Sequence, residues 1–483
     1  MATNISFGNY SPPPPPKGTV DIRVGVFFDG TQNNRTNTNA RLGKEGDKGN
    51  KAYNKLSDKD TDSYMNDFSN VARKELHYEK DQYTTSLYIE GIGTENFGED
   101  SDNKMDHDGV AFGAGKLGIP AKVKKGCEGL AKNALKLQGK DEINTLTVDV
   151  FGFSRGAAAA RNFVYELSKK NSQDVWGSQV LKYKVKYKRL QVRFVGLYDT
   201  VSSYDPDAIK NPNFDNDVTE LHLNDLNLEI NDLYKAKHII HFCADDEHRK
   251  NFMLTPTRVA GGKDFYLPGV HSDVGGCYTD MMNEYKQIMD LDNTWGDGYD
   301  DDEYNEILDN DLNNLIQQGW CSESEVVRPD MWHQTYLNRK GIRNTYSFVT
   351  LHLMVEKLNT EYAGTINVES LNKYFEIPKP TKPDELDLHK VKDRLAGYIN
   401  GSLPKMEYYT SKQIEILRKQ EREKKITTAV FNQIVSDHNI LIKLRRKYLH
   451  WNSLFGDTVG AYLPNYKISG KTIVRTRKKA KNS

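Results

Sequence analysis

An excess of charge of either sign is missing from this sequence: 67 Lys and Arg stand against 67 Asp and Glu in 483 residues. Bulk attraction to nucleic acid or to acidic substrates is therefore not expected, and no nucleic-acid partner is expected. Cysteine is scarce. Cys127, Cys243, Cys277 and Cys321 lie far apart with no CxxC pair, which argues against a disulfide framework and against common zinc spacings, so no metal is expected. No apolar run reaches the roughly 18 to 20 residues that a membrane-spanning helix needs. The opening stretch MATNISFGNYSPPPPPKG also lacks the basic start, apolar core and small-residue cleavage site of a secretory signal. The chain is accordingly expected to be made in the cytoplasm and to meet any membrane from its surface. With 37% apolar and 28% charged residues and ample length, it has the composition of a globular protein able to bury a large core.

What is present reads as alternating strands and helices. TVDIRVGVFFDGT gives a first core strand over about 22–28, broken at Asp29-Gly30, with Pro12–Pro16 ahead of it as an extended spacer. Residues 33–65 are polar and read as loop, SLYIEGIGT (86–94) as a second strand ending in a glycine turn, and 116–138 as a helix. A β-branched strand at 143–153, a helix at 154–170 and a strand at 190–201 follow. This alternation predicts an α/β fold with a mostly parallel sheet flanked by helices. The runs HIIHFCADDEHRKNF (238–252) and DFYLPGVHSDVGGCY (264–278) each end in ionisable residues, and strand ends are where open α/β sheets place their sites. From Asp290 to Asp311 there are ten acidic and no basic residues. This stretch reads as a solvated insertion, because Trp295 occupies the position where an EF-hand loop starting at Asp290 would need its glycine. Segment 409–447 is mostly helix-forming and is expected to pack beside the sheet. The tail KTIVRTRKKAKNS, with six basic residues, reads as a solvated extension or a contact for anionic lipid.

The chemistry centres on Gly152-Phe153-Ser154-Arg155-Gly156. A serine hydroxyl is a poor nucleophile unless a base, usually a histidine oriented by a carboxylate, takes its proton. The nucleophile elbow sets such a serine on a tight strand-to-helix turn with glycine two places before and after it, here Gly152 and Gly156. His271 in GVHSDVGG is the leading base, with His241 and His248 in reserve. Asp199 in GLYDTVSS is the leading acid, and the order Ser154, Asp199, His271 matches that of α/β-hydrolases. Asp245, Asp246, Glu247 and Asp273 remain alternative acids. An oxyanion needs two donors, and the candidates are the amide of Arg155 and one from Asp29-Gly30-Thr31, either Gly30 or Thr31.

Taken together, VGVFFDGTQNN, YIEGIGT, VFGFSRGAAAARNF, GLYDTVSS, HFCADDEHRKNF and LPGVHSDVGGCY resemble the DUF2235 hydrolase family, which includes type VI secretion phospholipase effectors of the Tle1 type. HWNSLFGDTVGAYLPN (450–465) is a weaker echo of the same family. The resemblance implies an α/β-hydrolase core over 20–285 that cleaves carboxylic esters of membrane phospholipids with Ser154, Asp199 and His271 and without a cofactor. It also implies delivery by a type VI apparatus into the periplasm of a target cell, a secretion-apparatus partner and an immunity protein. Around this core lie a proline-rich segment (1–19), an acidic insertion (286–330), a mostly helical region (331–470) that is a candidate cap or membrane-contacting surface, and a basic tail (471–483). Cys277 departs from the family pattern, which usually has a third glycine there. A cytosolic esterase of metabolism and a non-enzymatic, secretion-associated binding module are the competing readings.

Overall fold

Six apolar runs form one parallel sheet: β1 (Thr19–Phe28), β2 (Thr84–Ile89), β3 (Glu142–Phe153), β4 (Tyr187–Tyr198), β5 (His238–Ala244) and β6 (Lys263–Leu267), in the order β2-β1-β3-β4-β5-β6. The computed structural model describes residues 14–56, 62–100, 113–169, 171–203, 236–290, 301–329, 334–455 and 462–480. Most of the proline-rich N-terminal segment and the acidic residues 291–300, Trp295 among them, lie outside these ranges.

Strand alternation sorts the core into two layers. On β1, Ile22, Val24, Val26 and Phe28 join Leu146, Val148 and Val150 of β3 on one face of the sheet. Phe27, Phe151, Phe153 and Phe194 share the opposite face. The first face is covered by two helices, α5 (Ile119–Gln138) and α6 (Arg155–Ser168). Ala157–Ala160 of α6 are wholly buried, and four methyl side chains in a row let the helix lie close to the strands. The second face meets α4 (Asn70–Glu75) and, from the C-terminal half, the largely buried helix Tyr346–Glu361. Helices on both faces complete the expected α/β architecture. Each fully buried Val, Leu or Phe contributes about 1.5–3 kcal/mol relative to exposure, so both layers anchor the strand ends on which the site is built.

Three sequence expectations are corrected. Residues 33–65 are not simply loop: they contain α1 (Arg35–Arg41), α2 (Gly46–Asn54) and α3 (Asp62–Met65). Their polarity conceals buried polar contacts, such as Asn37 Nδ2 donating to Ser63 Oγ at 3.1 Å, and Asn34 caps α1. From residue 301 on, the described part of the acidic stretch lies in helix Asp301–Gln317, in which Ile307, Leu308 and Leu315 are buried and Leu312 and Ile316 pack on the core. An apolar stripe at helical spacing runs beneath its charges. The basic tail is structured as well. Tyr466–Ser469 and Thr472–Arg475 pair as an antiparallel hairpin, Arg475 forks onto Asp311 with both contacts at 2.8 Å, and Ala480 is buried. Segment 409–447 forms helices Ser411–Arg422 and Thr428–Lys447. The second of these, through its buried Leu441 and Leu444, sits beside strand Gln334–Ile342 of a small antiparallel sheet. Among the described residues, no helix is long and apolar enough to cross a membrane.

Candidate active site

The chain leaves β1 for β2 on one side and later enters β3 on the other, so the carboxyl ends of β1 and β3 form a topological switch point, where open α/β sheets leave a crevice. Asp29 follows β1 and Ser154 follows β3 at this point. Register carries the third element in: Phe28 pairs with Gly152, Phe153 with Tyr198, and Tyr198 with Phe242. Ser154 and Asp199 are therefore successive positions beyond paired residues of neighbouring strands.

Ser154 has φ 58° and ψ −131°, a conformation that a residue with a side chain rarely adopts and that costs about 1–3 kcal/mol. The surrounding backbone holds it there. Ser154 N–H donates to Tyr198 O at 3.1 Å, and its carbonyl accepts from Ala157 N–H at 2.9 Å and from Val201 N–H at 3.4 Å. The flanking glycines are required by space. A Cβ at Gly152 would stand 2.5 Å from Ala157 Cα, and one at Gly156 would stand 2.1 Å from Asp29 O. This is the geometry of a nucleophile elbow.

Asp199, also at positive φ (42°), points one oxygen at the histidine: His271 Nδ1 and Asp199 Oδ2 are 2.5 Å apart. His271 opens the short helix His271–Gly275 that follows β6, and its ring lies between Phe153 and Phe252, with centroids 4.6 and 5.1 Å away. Burial lowers the imidazole below its usual pKa, although Asp199 opposes the shift. Burial alone would raise the Asp199 carboxyl, but the Arg477 guanidinium and His271 hold it well below the usual carboxylate range. Asp199 N–H and Oδ1 are tied to β5 through Phe242 O (2.7 Å) and Ala244 N–H (2.8 Å). Among the described contacts, no hydrogen bond joins Ser154 Oγ to His271 Nε2.

The alternative groups are engaged elsewhere. Asp245 pairs with Lys405 at 2.8 Å, and Asp246 accepts from Arg445 and from Gly269 N–H, both at 2.7 Å. Asp273 pairs with His450. His248 contacts Asp246 O and Ser453 Oγ. His241 places Nδ1 on Asp264 at 2.8 Å and accepts Thr200 N–H at Nε2, which steadies the residue after Asp199. His241, Cys243 and Asp264 bring ligand-type atoms within 4.8 Å of one another. Both ring nitrogens of His241 are already committed, and Asp264 also accepts from Thr257 N–H and Oγ1, so binding a metal would break an existing network.

Near the serine, the two oxyanion candidates of the first turn separate. Gly30 N–H donates to Asp29 Oδ1 at 2.8 Å. Thr31 N–H donates to none of the described acceptors, and Thr31 Oγ1 accepts from Arg155 Nε at 2.8 Å. Arg155 itself heads α6, where the helix dipole places partial positive charge. Asp29 braces this turn by accepting from Ser69 Oγ and Tyr88 OH, each at 2.5 Å; burial raises its pKa against those hydrogen bonds.

Sequence reasoning missed two supports. Glu247, weighed only as an alternative acid, lies under the base: Oε2 accepts His271 N–H at 3.2 Å, and Arg249 forks onto both oxygens at 3.0 Å. The HWNS stretch closes over the same loop. His450 reaches Asp273 at 2.7 Å, Trp451 N–H reaches Glu284, Asn452 reaches Glu247, and Ser453 reaches His248 at 2.7 Å. The family echo in that stretch was its only sequence signal. The second support is Arg477, whose Nη1 and Nη2 reach Asp199 Oδ1 and Oδ2 at 2.6 and 2.9 Å. Nothing in its basic surroundings in the sequence marks it out.

A strained serine between a buried strand and a buried helix, followed on neighbouring strand ends by a bonded carboxylate and histidine, is the arrangement that α/β-hydrolase sites use, set here on an α/β fold. The sequence profile described as "T6SS, Phospholipase effector Tle1-like, catalytic domain" matches residues 165–295, a span that contains Asp199 and His271 and begins after Ser154. The match covers about a quarter of the chain, which over that span is similar to this family. Its fold is similar to a solved structure described as "Structure of the Tle1 effector bound to the VgrG spike from the Type 6 secretion system", at 19% identity and a TM-score of 0.56, covering 100% of this chain and 94% of that one. A further solved structure, an uncharacterized protein from Pseudomonas aeruginosa, is 16% identical with a TM-score of 0.35 over 90% of this chain and 65% of that one. No curated protein matches the chain by sequence.

Proposed function

We propose that the chain is a serine hydrolase that cleaves carboxylic esters of membrane phospholipids, a phospholipase A activity, and that it serves as an antibacterial effector delivered by a type VI secretion apparatus. The observation that carries this reading is the strained Ser154 elbow hydrogen-bonded to the strand end that presents Asp199 to His271. Ser154 Oγ attacks the ester carbonyl while His271 Nε2 takes its proton. Asp199 keeps Nδ1 protonated and stabilises the imidazolium. The amides of Arg155 and Thr31 receive the developing oxyanion. Collapse of the tetrahedral intermediate releases the glycerol oxygen, protonated by His271, and leaves an acyl-serine; water activated by the same histidine then frees the fatty acid. None of these steps needs a metal or an organic cofactor.

The lipid substrate and the delivery route rest on the relatives. The family is described as phospholipase effectors, and the similar solved structure is of an effector bound to the VgrG spike. A spike-type secretion partner and an immunity protein are the partners this reading implies. The test is hydrolysis of mixed phospholipid vesicles by purified protein with the products weighed by mass spectrometry. Wild type should release fatty acid and lysolipid, and Ser154→Ala should fold but lose about 10⁶ in turnover. Diacylglycerol or phosphorylated head groups among the products would mean cleavage at phosphorus and end the acyl-serine reading. Cleavage of short soluble esters with vesicles left intact would instead favour a metabolic esterase.

A further inference from the structure

We propose that Arg477 is a positioning residue of the hydrolase site, fixing the carboxylate of Asp199 so that one oxygen faces His271, and that the site is therefore complete only while segment 477–480 is docked. This inference rests on the reading of Ser154, Asp199 and His271 as a triad. Asp199 is fully buried and receives four donors: His271 Nδ1 and Arg477 Nη2 at Oδ2, and Ala244 N–H and Arg477 Nη1 at Oδ1. Rotation of the carboxylate about its Cβ–Cγ bond would break the guanidinium fork at both oxygens, so the fork fixes the plane in which His271 is held. Arg477 is itself held, with Nε donating to Phe252 O at 2.8 Å and Nη1 to Ala244 O at 3.3 Å.

The segment that carries Arg477 is laced to the loop beside the acid. Leu254 N–H donates to Lys478 O at 3.0 Å, and Ala480 N–H donates to Leu254 O at 2.9 Å. Leu254 also bridges to Val201, and Thr255 N–H donates to Thr200 O at 3.0 Å. Two residues after Asp199 are thus linked through 254–255 to the docked segment. Lys479 adds a cationic contact over the Tyr266 ring at 4.2 Å. A stretch that reads as a solvated basic tail is in fact one wall of the acid's pocket.

Charge makes the idea testable. The groups facing the Asp199–His271 pair are Cys243 at the end of β5, Glu247 and Arg249 on the loop after it, and Arg477. Removing the Arg477 charge leaves Asp199 with less positive charge beside it. Asp199 then stabilises the imidazolium more strongly, which raises the histidine pKa.

The experiment measures kcat, KM and the pH dependence of kcat/KM on a chromogenic ester and on phosphatidylcholine–phosphatidylglycerol vesicles, using full-length wild type, Arg477→Gln, Arg477→Lys and Ser154→Ala, each with its Tm. Arg477→Gln should lose about 10²-fold in kcat, as an ångström-scale misplacement does, with KM little changed and the acid limb moved to higher pH. Arg477→Lys, which keeps the charge without the fork, should return the limb to the wild-type position and restore part of kcat. An Arg477→Gln protein with wild-type kcat overturns the inference. So does a loss of kcat that follows Tm with an unmoved limb and no rescue by lysine, because Arg477 would then act through packing alone. Turnover by Ser154→Ala equal to wild type would overturn the triad reading and this inference together, whereas an inactive Ser154→Ala beside a fully active Arg477→Gln overturns the inference alone.

Discussion

Replacing Asp199 by asparagine changes one oxygen to NH₂ with almost no change in shape, and the hydrogen bonds around the carboxylate fix the outcome. Both oxygens receive donors only: Ala244 N–H and Arg477 Nη1 on one side, His271 Nδ1 and Arg477 Nη2 on the other. An amide must turn its NH₂ toward one of these sides. The Ala244 donor is backbone and cannot adapt, so the NH₂ is expected to face His271, where the ring can answer by moving its proton to Nε2. That tautomer has no lone pair with which to take the Ser154 proton. An equivalent change in a trypsin-like triad lowers turnover about 10⁴-fold, or about 5 kcal/mol of transition-state stabilisation. Stability should fall as well. Arg477 would keep its buried charge without its counter-ion, and breaking a buried pair from one side costs about 3–5 kcal/mol, a large share of the roughly 5–15 kcal/mol typical of a folded domain. The assay is kcat/KM on a chromogenic ester well below the variant's Tm, with Asp245→Asn and Asp246→Asn alongside. Asp245 pairs with a partly exposed Lys405, a contact worth about 1 kcal/mol or less, so its variant should remain close to wild type. Retention of more than about a tenth of wild-type kcat by folded Asp199→Asn, or a larger loss in the 245 or 246 variant, would refute the reasoning.

Much of this site could be read from the sequence because its geometry follows from strand register. Gly152 to Gly156 shows the elbow directly, since two steric prohibitions write themselves as two glycines. Asp199 follows a strand in register with β3, so an end-of-strand argument suffices to find it. Arg477 is different. It lies 278 residues from Asp199 in sequence, and only the tertiary fold makes it one of the acid's partners. The short helices between 35 and 65 escape sequence reading for a related reason, because buried polar pairs such as Asn37 with Ser63 support them rather than an apolar stripe. In helix Asp301–Gln317 a stripe exists, but a surplus of carboxylates hides it. The departure at Cys277 has a backbone explanation: its φ is 97°, in the region where glycine carries no penalty, so the usual family residue suits the conformation better than the cysteine present here.

That conformation gives a stability prediction. Cys277→Gly should relieve about 1–2 kcal/mol of backbone strain and so keep its Tm close to wild type despite losing a buried side chain. Cys127→Gly, in the middle of α5 and equally buried, should lose about 2–3 kcal/mol; equal losses at the two positions in thermal melts would show that strain at residue 277 is negligible. The last prediction concerns pH. His271 must be neutral to accept the serine proton, so kcat/KM is full above its pKa and falls as pH drops through it. Burial between Phe153 and Phe252 disfavours the imidazolium and outweighs the pull of Asp199, so the folded pKa lies below the ordinary value of 6.5. The acid limb of wild-type kcat/KM should therefore be centred below pH 6.5. In Asp199→Asn the loss of the carboxylate charge should move the limb of any residual activity lower still. A wild-type limb centred above pH 7 would mean that the carboxylate, not burial, dominates the base, and the balance of forces assigned to His271 would be reversed.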